Sequence, residues 1–289
     1  MCQNPNGPDT DDRAKIASVV ERFVAALHSE LSERWRTWRY EFSLKDLHAV
    51  VGGLLSRQVT LAAELARAPS CWNYHVGPLF LRAMAEVHIT VAWILHDPNQ
   101  QIDRCKKYID FGLGQQKLEL ERRRTTIKER DRDPTDEEVA WMEVQEQWIN
   151  SQRATFLTEV NVGSWSGIPV RKMAEDAGCI DFYNHVYTPW SAVAHSTWQH
   201  IGRYNVTQCQ NPLHGFHLVP AAIDAAALDV LYLAGKYADK TFRLFDTNMG
   251  VKTNIACAFD DLVSGLTELS EALNQSDDTP AADNRQRQE

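Results

Sequence analysis

Three stretches of this 289-residue chain hold side chains able to carry chemistry. The first is Arg82, Glu86 and His88, set in an otherwise apolar run from Leu79 to Leu95. On a helix Arg82 and Glu86 stand about 6 Å apart along the axis and nearly on one face, so guanidinium and carboxylate can pair. His88 lies about 120° round from Arg82 and does not automatically share that face. The second stretch places Tyr183, Tyr187, Ser191 and His195 at intervals of four, with Ala192 and Ala194 leaving room for a neighbouring helix. Together the two stretches could neutralise an anion (Arg82, oriented by Glu86), offer hydrogen bonds (Ser191, Tyr187) and move a proton (His195 or His88). The third offers Cys209, His214 and His217, whose spacing matches none of the common zinc patterns.

Each group also has a plainer reading. An ion pair within an apolar helix is costly to bury and is kept for a site, for specificity, or at a solvated edge. A lone histidine on such a helix is more often a satisfied core residue than a catalyst. There is no E-x-x-H pair, phosphate loop, G-x-G-x-x-G turn or G-x-S-x-G elbow. The residues therefore call for no metal and no cofactor. The strip from Arg122 to Asp133 alternates bases with acids and reads as a solvated, self-neutralised helix end rather than a phosphate track.

The elements that must position these groups are almost all helical. Apolar residues recur at helical period and strand-like alternation is scarce. A first helix is expected from near Asp12 to the Trp35/Trp38 region, and a second from Ser43/Asp46 to about Ala66. Gly77-Pro78 opens a third and Asp97-Pro98 a fourth that runs through Arg130. Thr135 and Glu138 form a capping box for a fifth, ending near Asn161. A short helix from Ile168 to Ala177 closes at Gly178. Helices from Asp181 to Tyr187 and from Thr188 to Gly202 follow, divided by Thr188-Pro189. A long loop from Arg203 to Leu218 precedes a last pair, about Pro220 to Phe245 and Gly250 to Leu273. The expected fold is an all-α bundle of about ten helices forming one domain over residues 13–273, with a polar lead (1–12) and an acidic tail (274–289).

Composition narrows the setting. The net charge of −9 excludes coating nucleic acid by bulk charge. The two ends carry more than half of that excess, so a local basic groove stays open. Six scattered cysteines without a C-x-x-C pair, and no apolar run behind a basic start, lead us to expect a reduced cytoplasmic protein with no membrane attachment.

The series Phe80-Leu-Arg82-x3-Glu86…Trp93-Ile-Leu-x-Asp97-Pro98, then Trp165-Ser-Gly167, then Tyr183…Tyr187-x3-Ser191-x3-His195-Ser196 resembles an uncharacterised bacterial helical family, a domain of unknown function. The resemblance covers about Leu79 to Ser196 and implies that the Arg/Glu and Ser/His helices are the family's marked elements. It brings no activity. More loosely, Arg82-x5-His88 is similar to the Arg…His hallmark of HEPN-type helical nucleases, although Ala83 replaces the polar residue usual after that arginine. That likeness implies a metal-independent endoribonuclease of stress or antiphage defence, acting on RNA as a homodimer. Arg82 would then hold phosphate, Glu86 would orient the arginine, and His195 or His88 would serve as acid/base. Ser191, Tyr187 and Trp165 would complete the site. The alternative is a non-enzymatic module binding a protein or small ligand, with Arg82, Glu86, Tyr187, Ser191 and His195 as a polar lock between helices.

Overall fold

A computed structural model describes residues 10–130, 132–152, 163–227 and 229–277. The fold is all-α: α1 (Thr10–Thr37), α2 (Lys45–Ala66), α3 (Gly77–His96), α4 (Gln101–Lys128), α5 (Asp136–Ser151), α6 (Val170–Asp176), α7 (Ile180–Phe182), α8 (Thr188–Ala194), α9 (Trp198–Tyr204), α10 (Asp229–Met249) and α11 (Ala258–Asp277). A π-helical turn, Tyr183–Tyr187, joins α7 to α8. An antiparallel hairpin, β1 (Val206–Gln208) with β2 (Leu218–Pro220), occupies the expected long loop and runs two residues past its end. The chain forms two compact units. One combines the residues up to Arg39, Leu54–His88 and those from Asp181 onward; the other combines Tyr40–Gly53 with Ile89–Ile180.

In the first unit α1 packs along α11, and α10 along α11. Val19, Phe23 and Leu27 of α1 fall at intervals of four and are buried with Ala234, Phe242 and Phe245 of α10 and Leu262 of α11. Close approach here requires Gly235. A Cβ at that position would sit 2.7 Å from Leu262 Cδ2 and 3.1 Å from Phe259 Cδ2. Gly235→Ala is therefore expected to destabilise the protein by about 1–3 kcal/mol, despite alanine's better helix propensity, as measured by urea unfolding. In the second unit Leu47, Val50 and Val51 of α2 are buried, as are Ile89–Leu95 of α3, Cys105 and Leu113 of α4, and Met173 of α6. Burial pushes the Cys105 thiol up to about 12, so it stays protonated.

The two proline signals behave differently. Gly77-Pro78 does open α3. Asp97-Pro98 instead forms a turn in which Asp97 accepts from the Asn99 N–H at 3.0 Å, and α4 begins three residues later. The Thr135/Glu138 capping box on α5 is present in both directions. The expected end of that helix near Asn161 lies outside the described residues, as do most of the lead and tail. α1 starts at Thr10 and α11 runs to Asp277, each slightly past its expected limit. Residues 221–227 are not helical. Ala225 and Ala227 bond to Tyr74 and Trp72, so pairing with a distant segment overrides an alanine-rich stretch.

α3 is long and apolar enough to cross a membrane by length and composition, with a mean hydropathy of 1.4 over its best window. That window is 72% buried within the protein. It is a core helix.

Candidate functional site

Arg82 gathers the residues that spacing had singled out. Its Nε donates to Ser191 Oγ at 2.7 Å, one terminal nitrogen to Glu86 Oε2 at 2.6 Å, and the other to the Tyr187 hydroxyl. The guanidinium also lies over the Tyr187 ring, 3.4 Å from its centroid. Ser191 is itself fixed, donating to the Tyr187 carbonyl at 2.8 Å. Tyr183 stacks on Tyr187 at 4.9 Å between ring centroids. Burial raises the Tyr187 phenol, so it remains a neutral hydroxyl. The Arg82 side chain is 15% exposed and that of Glu86 48% exposed.

The backbone explains how Tyr187 and Ser191 reach the same guanidinium. Thr188 is not a cap: Tyr187 and Thr188 are both helical, and the helix runs unbroken into α8. The Thr188 N–H bonds the Tyr183 carbonyl, five residues back. This widened turn lies directly ahead of Pro189, whose ring would otherwise press on the carbonyl of His185.

The expected helix from Thr188 to Gly202 breaks at His195. Ser196 N–H bonds the Val193 carbonyl and Thr197 N–H the Ala192 carbonyl, with Ser196 at φ 49°. This is a Schellman closure with serine in the left-handed position usually taken by glycine. His195 caps α8, exposed, and its ring makes no hydrogen bond among the described residues. Spacing of four therefore carries Tyr187 and Ser191 to Arg82 and leaves His195 outside.

His88 is a core residue. It is 2% exposed, packs tilted against Phe182 at 4.6 Å between ring centroids, and its Nδ1 lies 3.1 Å from Thr241 Oγ1. Thr241 gives its own proton to the Tyr237 carbonyl and accepts from Gln58, so the His88 contact requires Nδ1 to be the donor. Burial, aided by Lys240, pushes His88 down to about 3. Trp165 belongs to the second unit and packs edge-on against Trp93 and Tyr108. There Ser164-Trp-Ser-Gly167 is a tight turn, with Ser166 bonded to the Ile168 carbonyl at 2.7 Å.

Three arginines of the charged strip are neutralised, by acids outside the strip rather than by its own alternating ones. Arg124 pairs with Glu121 and Glu146, Arg130 and Arg132 pair with Glu138, and Arg123 lies over Trp141.

Spacing did not anticipate one further grouping and left a second, already noted, without a familiar pattern. His75, His200 and Tyr204 form one aromatic cluster, with Tyr74 stacked on Tyr204 at 5.7 Å. Burial and the facing His75 push His200 down, while the Asp229 charge, burial and Tyr204 raise Tyr74. Only the shared aromatic character of two remote segments hinted at it. The second is the hairpin loop, where ligand atoms of Cys209, His214 and His217 lie within 4.8 Å of one another. Their composition was the available signal; the fold supplies the proximity.

No curated protein and no solved structure matches the chain. A family described only as being of unknown function, DUF5677, matches residues 48–212, more than half of the chain and all of the Arg82, Tyr187 and Ser191 grouping. The chain belongs to that family of unknown function.

Proposed function

We infer that this protein is a non-enzymatic helical binding module that senses an anionic group on its ligand through Arg82. The observation that carries this reading is the asymmetry around the guanidinium. Tyr187 and Ser191 hold it with neutral groups, while Glu86, the only carboxylate on it among the described residues, stands half in water. Rotating a half-exposed glutamate away costs little, since pairs of that kind contribute of order 0–1 kcal/mol. The cradle then presents an oriented cation, and the N–H donors without partners among the described residues are free for a carboxylate or phosphate. A ribonuclease would instead need a proton carrier beside Arg82, whereas the described contacts place His88 in the core and His195 in solvent.

Inorganic phosphate and acetate are the probes, with binding followed by calorimetry. Glu86→Gln is expected to bind either anion more tightly than the native protein, and Arg82→Ala to bind neither. Equal affinity in all three proteins, or no binding by Glu86→Gln, overturns the reading. Incubation with mixed RNA in EDTA tests the enzymatic alternative. Cleavage lost in both Arg82→Ala and His195→Ala replaces the binding module with a nuclease.

A further inference from the structure

We propose that the β1–β2 hairpin loop is a three-ligand zinc site formed by Cys209, His214 and His217. The loop is shaped by its own backbone. Cys209 N–H bonds the His217 carbonyl at 2.8 Å, extending the β1–β2 ladder by one step and bringing the first and last ligand together. Between them His214 N–H bonds the Asn211 carbonyl, and His217 N–H the His214 carbonyl, in two successive turns. Phe216 takes a left-handed φ of 59°, which turns the chain back toward His217.

The distances fit an ion. A tetrahedral zinc bound to sulfur at about 2.3 Å and to nitrogen at about 2.0–2.1 Å holds those two atoms about 3.6 Å apart. Cys209 Sγ and His214 Nδ1 are 3.6 Å apart. The His217 ring lies 5.4 Å from that of His214, and all three ligand atoms fall within 4.8 Å of one another. Rotation of exposed side chains closes the remainder. Asn211 Nδ2 donates to His214 Nε2 at 3.1 Å, which leaves the ring proton on Nδ1; zinc binding at Nδ1 moves that proton to Nε2 and gives up this bond.

One thiolate and two imidazoles suit zinc better than magnesium or calcium, which take oxygen ligands. Cys209 binds as the thiolate, its proton passing to solvent. Three protein ligands leave a fourth position for water, on a loop whose tip exposes Leu213 (89%) and Phe216 (98%).

The test uses the untagged full chain, reduced and freed of metal by chelation, titrated with cobalt(II) as a coloured substitute for zinc. One equivalent should produce a near-ultraviolet sulfur-to-cobalt band with the intense visible bands of tetrahedral cobalt. One equivalent of zinc should then bleach them. Cys209→Ser and His217→Ala should lose the spectrum, whereas Cys71→Ser, altered at another half-buried thiol, should keep it. A pale octahedral cobalt spectrum in the native protein, or a thiolate band that survives Cys209→Ser, overturns the assignment. If Cys209→Ser does not fold, the exposed His217→Gln takes its place with the same two outcomes.

Discussion

Replacing Arg34 by alanine is expected to cost about 3–5 kcal/mol of stability, the range for breaking a buried ion pair from one side. That would lower Tm by on the order of 10 °C in a chain of this size. Arg34 is 6% exposed and lies between two carboxylates. Nε and one terminal nitrogen clasp both oxygens of Asp246, at 2.9 and 2.8 Å, and the other terminal nitrogen reaches Glu30 Oε2 at 2.6 Å. The guanidinium also rests on Phe242, 4.1 Å from the ring centroid. Glu30 uses its second oxygen on the Ala258 N–H at the start of α11, where the helix dipole favours a negative charge. Loss of Arg34 leaves both acids facing each other without a cation, and the junction of α1, α10 and α11 opens. Arg34→Lys keeps the charge but cannot clasp Asp246 with two parallel bonds, so an intermediate loss is expected. The control is Arg36→Ala, which removes an exposed pair with Glu33 and should leave the thermal melt unchanged. An Arg34→Ala melt equal to that control would refute this account of the junction.

The second large effect is on acid stability. His88 titrates near 6.5 when unfolded but near 3 in the folded protein, chiefly because burial disfavours its cation. A lowered folded value means that the unfolded state takes up the proton first. The contribution to stability is therefore complete above pH 6.5 and is lost as pH falls from there toward 3. The slope is about 1.4 kcal/mol per pH unit, or about 2.7 kcal/mol by pH 4.5. His88→Asn keeps a donor near the position of Nδ1 and removes the titration. Its stability at pH 7.5 should be lower than that of the native protein, from lost packing against Phe182. The gap should narrow or reverse by pH 4.5. Urea unfolding of both proteins across that range reads the difference, and parallel pH profiles would refute the assignment.

Much of this molecule is local in the chain and so legible in it. Helical periodicity, the start of α3 at Gly77-Pro78 and the Thr135/Glu138 capping box each depend on residues within a turn or two of one another. The Arg82–Glu86 pair and the fixed interval from Tyr187 to Ser191 were legible for the same reason. What spacing could not show is which of two plausible endings a helix takes. α8 stops at His195 because Ser196 accepts a left-handed conformation that glycine usually signals, and His195 stays exposed at that end. Nor could spacing rank one ion pair against another. Glu30 and Arg34 look like any surface pair four apart until Asp246, 212 positions away from Arg34, is brought against them. The extended run before α10 fails in the same manner, because its partners Trp72 and Tyr74 are remote in the chain. Similarly, Cys209, His214 and His217 have no familiar spacing because a hairpin ladder brings them together.

The widened turn at Tyr183–Tyr187 acts as a counting device. It holds one residue more than an α-helical turn would between Phe182, packed on His88, and the start of α8. Excising a single residue there would let the helix tighten, and everything after the cut would rotate by about 100° relative to what precedes it. Tyr187 and Ser191 both follow the cut and would turn together, so Arg82 would lose both neutral anchors while Phe182 keeps its place against His88. Length in this segment is thus as much a determinant of the Arg82 cradle as residue identity. Conservative substitutions between Asn184 and Val186 should be tolerated where a one-residue deletion is not.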